Sequence, residues 1–334
     1  MKVFYALLFV AFTFFACEQT AKNGNESEVT IYNNEYDSLS AIIKKDLNNS
    51  ELYQARAYWL RENNRYKEAL GDINRAIKLD SLKGQYYVDK AEMLIDQNEI
   101  GKAKAFLDDA IYTTPGSTEI MLKTSEIYLW AGDYQKTIDW ANAALKFDNY
   151  LAQAYYLKGL AHEYSKDTLK AVTSLQTAVE QDPNHYSAFM QLGKLFSIAN
   201  HVNTDAYYTN AISIKPESIE AYYARGLFRQ NNGLPQKAIE DYNSILELEE
   251  NHVAANYNIG YVQLILLEQP DSAISFFETA ASIEPEYADA TYMLGYCFEL
   301  QSKYPEALSK YRETLKIKDT HTLAAMGVNR LENL

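Results

Sequence analysis

Tyr155–Pro183 reads YYLKGLAHEYSKDTLKAVTSLQTAVEQDP. Tyr155, Gly159 and His162 fall at i, i+4 and i+7, along one stripe of a helix. Ser165–Thr168 is polar and breaks the pattern. Ala171, Leu175 and Ala178 then resume the same spacing, and Pro183 closes the stretch. Two helices of about a dozen residues each, a short turn and a stop predict an antiparallel helical hairpin. Small residues at Gly159 and Ala178 let its two backbones approach closely.

The hairpin recurs along the chain. A small residue stands at Ala57, Ala91, Ser125, Gly159, Gly193, Gly226, Gly260 and Gly295, with steps of 34, 34, 34, 34, 33, 34 and 35. A second series follows at Ala76, Ala110, Ala144, Ala178, Ala211, Ile245, Ala280 and Thr314. A unit this short cannot bury a core alone, so eight units must stack on one another. The seven prolines test this reading, because proline inside a helix costs about 3 kcal/mol. Pro115, Pro183, Pro216 and Pro285 fall between units. Pro235, Pro270 and Pro305 fall at the turn within a unit or in the first turn of its second helix. Gly132 and Gly233 share the within-unit turn, where a positive φ is needed after a helix end.

The unit resembles the tetratricopeptide repeat, a 34-residue pattern of aromatic, Leu-Gly, Tyr, Ala, Phe, Ala and Pro at fixed offsets. Asp182–Gly193 (DPNHYSAFMQLG) is close to its consensus at a repeat junction. Tyr66–Ala69 (YKEA) and Tyr304–Ala307 (YPEA) match the opening of its second helix. The resemblance implies an all-α, right-handed superhelical solenoid of about eight helix-turn-helix units over residues 50–320. A degenerate helix is expected over 35–49 and a C-terminal capping helix over 321–334. The fifth unit is one residue short near His201–Asn203 and the seventh one residue long near Glu268–Pro270. The third carries Thr137 and Ala141 where Ala and a large apolar residue are usual.

Ahead of the repeats, Met1-Lys2 precedes fourteen residues, Val3–Ala16, with Thr13 the single polar one. This predicts a signal peptide over 1–16, too short for a permanent membrane span. Ala16-Cys17 resembles a bacterial lipoprotein cleavage box, which implies lipid on Cys17 and a membrane-anchored place in the cell envelope, at the outer membrane. Phe14 departs from that pattern, and an ordinary signal peptide is the alternative. Residues 17–34 are polar at first and read as a flexible tether. The net charge of −14 argues against nucleic acid as a partner.

Neither the five histidines nor Cys17 and Cys297 form a metal-ligand or nucleophile constellation, and no phosphate loop occurs. The reading is therefore no enzyme, no metal and no cofactor, with Cys297 a small buried residue. The distinctive feature is the 28 tyrosines. Tyr53, Tyr87, Tyr155 and Tyr222 occupy the packing position of the first helix. Tyr156, Tyr223, Tyr257, Tyr261, Tyr292 and Tyr296 occupy positions that, in the resembled family, line the concave groove. In the first four units that face carries Glu51, Glu62, Glu92, Asp96, Glu119, Glu126 and Glu163, opposed by Arg61. These residues, with Glu92 and Glu126 in the acidic half, are the candidate partner-binding groove. The expected ligand is a neutral-to-basic peptide or protein segment, held by a scaffold in envelope assembly or secretion. The carboxylate-clamp subtype of the family needs Lys and Asn here, and only Lys194 fits. A glycan- or cell-wall-binding accessory lipoprotein is the alternative function.

Overall fold

The structure, a computed structural model, describes residues 35–334. The signal peptide, Cys17 and the tether fall outside the described residues. Eighteen helices and no strand occur among the described residues. They are α1 (Glu35–Lys45), α2 (Ser50–Glu62), α3 (Tyr66–Leu79), α4 (Gly84–Asp96), α5 (Ile100–Thr113), α6 (Thr118–Trp130), α7 (Tyr134–Leu145), α8 (Ala152–Tyr164) and α9 (Thr168–Gln181). The rest are α10 (Tyr186–Ile198), α11 (Thr204–Ile214), α12 (Ile219–Asn231), α13 (Pro235–Leu248), α14 (Val253–Tyr261), α15 (Pro270–Ile283), α16 (Ala288–Leu300), α17 (Tyr304–Ile317) and α18 (Thr322–Glu332). From α2 to α17 they alternate as first and second helices of eight hairpins. Each helix packs on the next, so the body is a solenoid with neighbour contacts throughout.

The two small-residue series lie at the hairpin seams, and their sizes compensate for what they face. Ala57 and Ala91 share their clusters with Ile73 and Leu107. In the C-terminal half the second helix presents Tyr208, Tyr242, Phe277 and Tyr311, and the first presents glycine. A Cβ added at Gly193, Gly226, Gly260 or Gly295 would stand 2.5, 2.8, 2.8 or 2.7 Å from those rings. In the third unit Ser125 donates its hydroxyl to the Thr137 carbonyl at 2.8 Å, an interaction that the substitutions there permit.

Every within-unit turn contains one residue with positive φ: Asn64, Asn98, Gly132, Lys166, Asn200, Gly233, Glu268 and Ser302. Two of these are the glycines read from the sequence. The other six carry side chains into the left-handed region. The extra residue of the seventh unit lies not at Glu268–Pro270 but in the preceding helix, whose end, Val262–Leu266, is π-helical.

α1 sits where a second helix belongs. Ser40 accepts a hydrogen bond from Arg56, which pairs with Asp72. Thr209, Arg225 and Asp241 form the same triplet at the same spacing in α11, α12 and α13. Ile42 is 46% exposed, whereas its counterparts Ala76, Ala144 and Ala178 are fully buried beneath their own first helices.

Candidate protein-binding face

Helices α10, α14 and α18 start on histidine caps that also build the binding face. His185 Nδ1 accepts the Ala188 N–H at 3.2 Å, and His252 and His321 cap α14 and α18 in the same way at 3.1 Å. His185 Nε2 donates to Gln153 Oε1 at 3.2 Å, so the ring is neutral with its proton on Nε2. Burial lowers the pKa of this imidazole, in keeping with that state. Each capping ring meets a tyrosine from the preceding first helix. Tyr156 and His185 are 4.8 Å apart at their centroids, Tyr223 and His252 6.5 Å, and Tyr292 and His321 4.9 Å. At the remaining tyrosine junction Tyr287 takes the histidine's place, 5.0 Å from Tyr257.

Tyr156, Tyr223, Tyr257 and Tyr292 are therefore half-buried junction residues as well as members of the face. Tyr257 also meets Phe277, and Tyr292 meets Tyr311. Tyr261 and Tyr296 lie one turn further along their helices. Tyr296 stacks parallel to Tyr292, and both Tyr261 and Tyr296 pack on the cluster of Leu264, Phe277 and Leu294. The structure thus brings the last four tyrosines together over units seven and eight. Tyr156 and Tyr223 stand earlier in the stack.

The acidic half differs from the expectation. Arg61 pairs with Glu92 at 2.9 Å and with Asp96 at 2.5 Å, and Lys123 bridges Glu92 at 2.9 Å and Glu126 at 2.7 Å. Burial opposes ionisation of Glu92, but Lys123 and Arg61 overcome it and hold the carboxyl below its usual range. Glu51 pairs with Lys83, and Glu163 pairs with Lys194 and accepts from Gln191. Glu119 accepts from Ser117. This half of the face is a charge-compensated ladder rather than an open acidic stripe. Most of these pairs join neighbouring units: Lys83, Lys123 and Lys194 reach back to Glu51, Glu92 and Glu163, while Arg61 reaches forward to Glu92 and Asp96, which reading one helix at a time does not reveal.

No group of His, Cys, Asp and Glu able to hold a metal occurs among the described residues. Burial pushes the Cys297 thiol up to about 12, so it is not a thiolate nucleophile at neutral pH. The face offers aromatic surface and phenolic hydroxyls, the chemistry of recognition.

Sequence profiles of the tetratricopeptide repeat match residues 152–185, 219–252 and 267–321. DnaJ protein P58IPK homolog B of Oryza sativa subsp. japonica is 25% identical over 235 residues, covering 66% of this chain and 45% of that protein. The DnaJ protein P58IPK homolog of Arabidopsis thaliana is 24% identical over 281 residues, 75% of this chain and 58% of its own. The chain spans about half the length of the curated relatives it matches. Among solved structures, the C-terminal part of a TPR repeat-containing protein from Cytophaga hutchinsonii superposes with a TM-score of 0.62 at 16% identity. It covers 71% of this chain and 98% of its own. YrrB, described as a TPR protein with an unusual peptide-binding site, gives a TM-score of 0.50 at 20% identity over 58% of this chain and 98% of its own. Both structural likenesses concern the fold.

Proposed function

Because this chain is a tetratricopeptide repeat protein, we propose that it is a non-enzymatic scaffold of the bacterial cell envelope. It is tethered by lipid on Cys17 and holds a neutral-to-basic protein segment in its concave groove. The repeat makes it a protein-interaction scaffold. The observation that carries the groove reading is the gathering of Tyr257, Tyr261, Tyr292 and Tyr296 on adjoining first helices, partly exposed and packed on one apolar cluster, with Tyr257, Tyr292 and Tyr296 also held by ring contacts. Tyrosine held this way offers large contact area at small entropic cost. With Glu92 and Glu126 already paired, the tyrosine half is the centre of recognition and the charged half sets register. The overall charge of −14 favours approach of a basic partner.

Tyr257 and Tyr292 also support packing, so the test uses Tyr261→Ser with Tyr296→Ser. Affinity capture from native membranes should return protein partners with the unaltered chain and lose them with this pair. Identical capture by both would remove the groove from the account. Metabolic labelling with an alkyne fatty acid should mark the chain and fail on Cys17→Ala. Equal label on both would remove the tether.

A further inference from the structure

Thirteen residues after its N-cap, each first helix ends on an exposed position at one edge of the solenoid. In units one and two this is Glu62 and Asp96. From unit three the row reads Trp130, Tyr164, Ile198, Asn231, Ile265 and Leu300, exposed and apolar except for Asn231. Its last two members open into a cleft of about 370 Å³ lined by Leu264, Ile265, Glu268, Pro270, Tyr296 and Leu300.

The π-helical turn sits at this cleft. The residue that lengthens the seventh unit is absorbed there, with Leu264 buried while Ile265 and Leu266 stay at the surface. π-Turns inside helices are rare and frequent at functional sites. Leu264, Ile265, Pro270 and Leu300 provide apolar walls. Tyr296 joins the cleft to the tyrosine cluster. Glu268, in the left-handed region, brings a carboxylate without a hydrogen-bond or ion-pair partner among the described residues. Asp271 nearby accepts from Gln301.

We infer that this cleft anchors one bulky aliphatic or aromatic side chain of a bound protein segment, with a Lys or Arg of the same segment meeting Glu268. The inference rests on the scaffold reading and adds what the partner must carry and where it seats. The volume is at the small end of the range of about 300–1,000 Å³ usual for ligand pockets, suited to an anchor residue. Apolar walls with one carboxylate offer few partners for sugar hydroxyls. The same carboxylate and the acidic chain repel an anionic bilayer.

The test titrates fluorescein-labelled nonapeptides against the full chain and against Ile265→Glu and Leu300→Glu. The peptides carry a central Leu, Phe, Ser or Asp between flanking Lys, Gln or Glu. Both substituted residues are exposed, and circular-dichroism melts verify folding. Leu- and Phe-centred peptides with Lys flanks should bind at least tenfold tighter than Ser-centred or Glu-flanked versions, and each substitution should weaken them at least tenfold. Glu268→Gln should remove the preference for Lys and leave that for Leu. Absence of binding by every peptide, indifference to the central residue, or binding unchanged in both Ile265→Glu and Leu300→Glu would overturn the anchor. Partner capture that survives Leu300→Glu but is lost with Tyr261→Ser and Tyr296→Ser would overturn it while leaving the scaffold reading intact.

Discussion

At the scale of single residues, the seams show why glycine replaces alanine along the stack. From the fifth unit on, glycine stands where the facing residue is Tyr or Phe, because ring and methyl cannot share the space; in the fourth unit Gly159 meets Leu175, 2.6 Å from an added Cβ. Gly193→Ala places a Cβ 2.5 Å from the Tyr208 ring and should cost about 1–3 kcal/mol through overpacking, read as a lowered denaturation midpoint. Gly71→Ala is the control. It lies inside α3 with no atom within 4 Å of the added Cβ, and should stabilise by about 0.5–1 kcal/mol. His185 supplies a second residue-level prediction. Its folded pKa lies below the unfolded value of about 6.5, so the unfolded chain takes up the proton first. The stability it contributes is present above that value and is lost as pH falls through it. His185→Asn keeps a capping side chain that does not titrate there. Stability measured from pH 8 to 5 should fall less steeply for the variant than for the unaltered chain.

At the scale of elements, the hairpins were legible because apolar and small residues recur at helical spacing and prolines fall at the breaks. The turns were only partly legible. Gly132 and Gly233 announce a positive φ, but Lys166, Glu268 and Ser302 adopt the same conformation without any such signal, because the flanking helices impose it. Left-handed backbone costs a side-chain-bearing residue about 1–2 kcal/mol, offset in part by the greater freedom glycine loses. Gly132→Ala should therefore destabilise by about 1 kcal/mol, and Lys166→Gly should be neutral or slightly stabilising, both measurable by chemical denaturation. The π-turn was hidden for a related reason. The sequence shows that one residue is extra but not which element absorbs it. Of the candidate site, the tyrosines on the first helices were legible from register. Their contacts with the histidine caps were not, because cap and ring lie some thirty residues apart and meet only once units stack.

At the scale of the whole molecule, neighbour-only contacts make stability local. Arg225, Arg229, Asp205 and Asp241 form a network across units five and six in which the Asp241 side chain is almost wholly buried. Asp241→Ala leaves two guanidinium groups without that partner and should cost about 3–5 kcal/mol. Hydrogen exchange should show the lost protection concentrated in α11–α13 and spreading weakly towards the ends, as expected for a linear array of repeats. The same array turns its first helices, with their tyrosines, to one face, the proposed seat of the protein partner. Site-specific photocrosslinking in native membranes addresses this directly. A benzoyl-phenylalanine replaces Tyr261 or Tyr296 on that face, or the highly exposed Tyr112 of the second helix α5 as a control. Discrete protein adducts are expected at 261 and 296 and none of them at 112. No adduct at either face position, or the same adducts at 112, would contradict that seat.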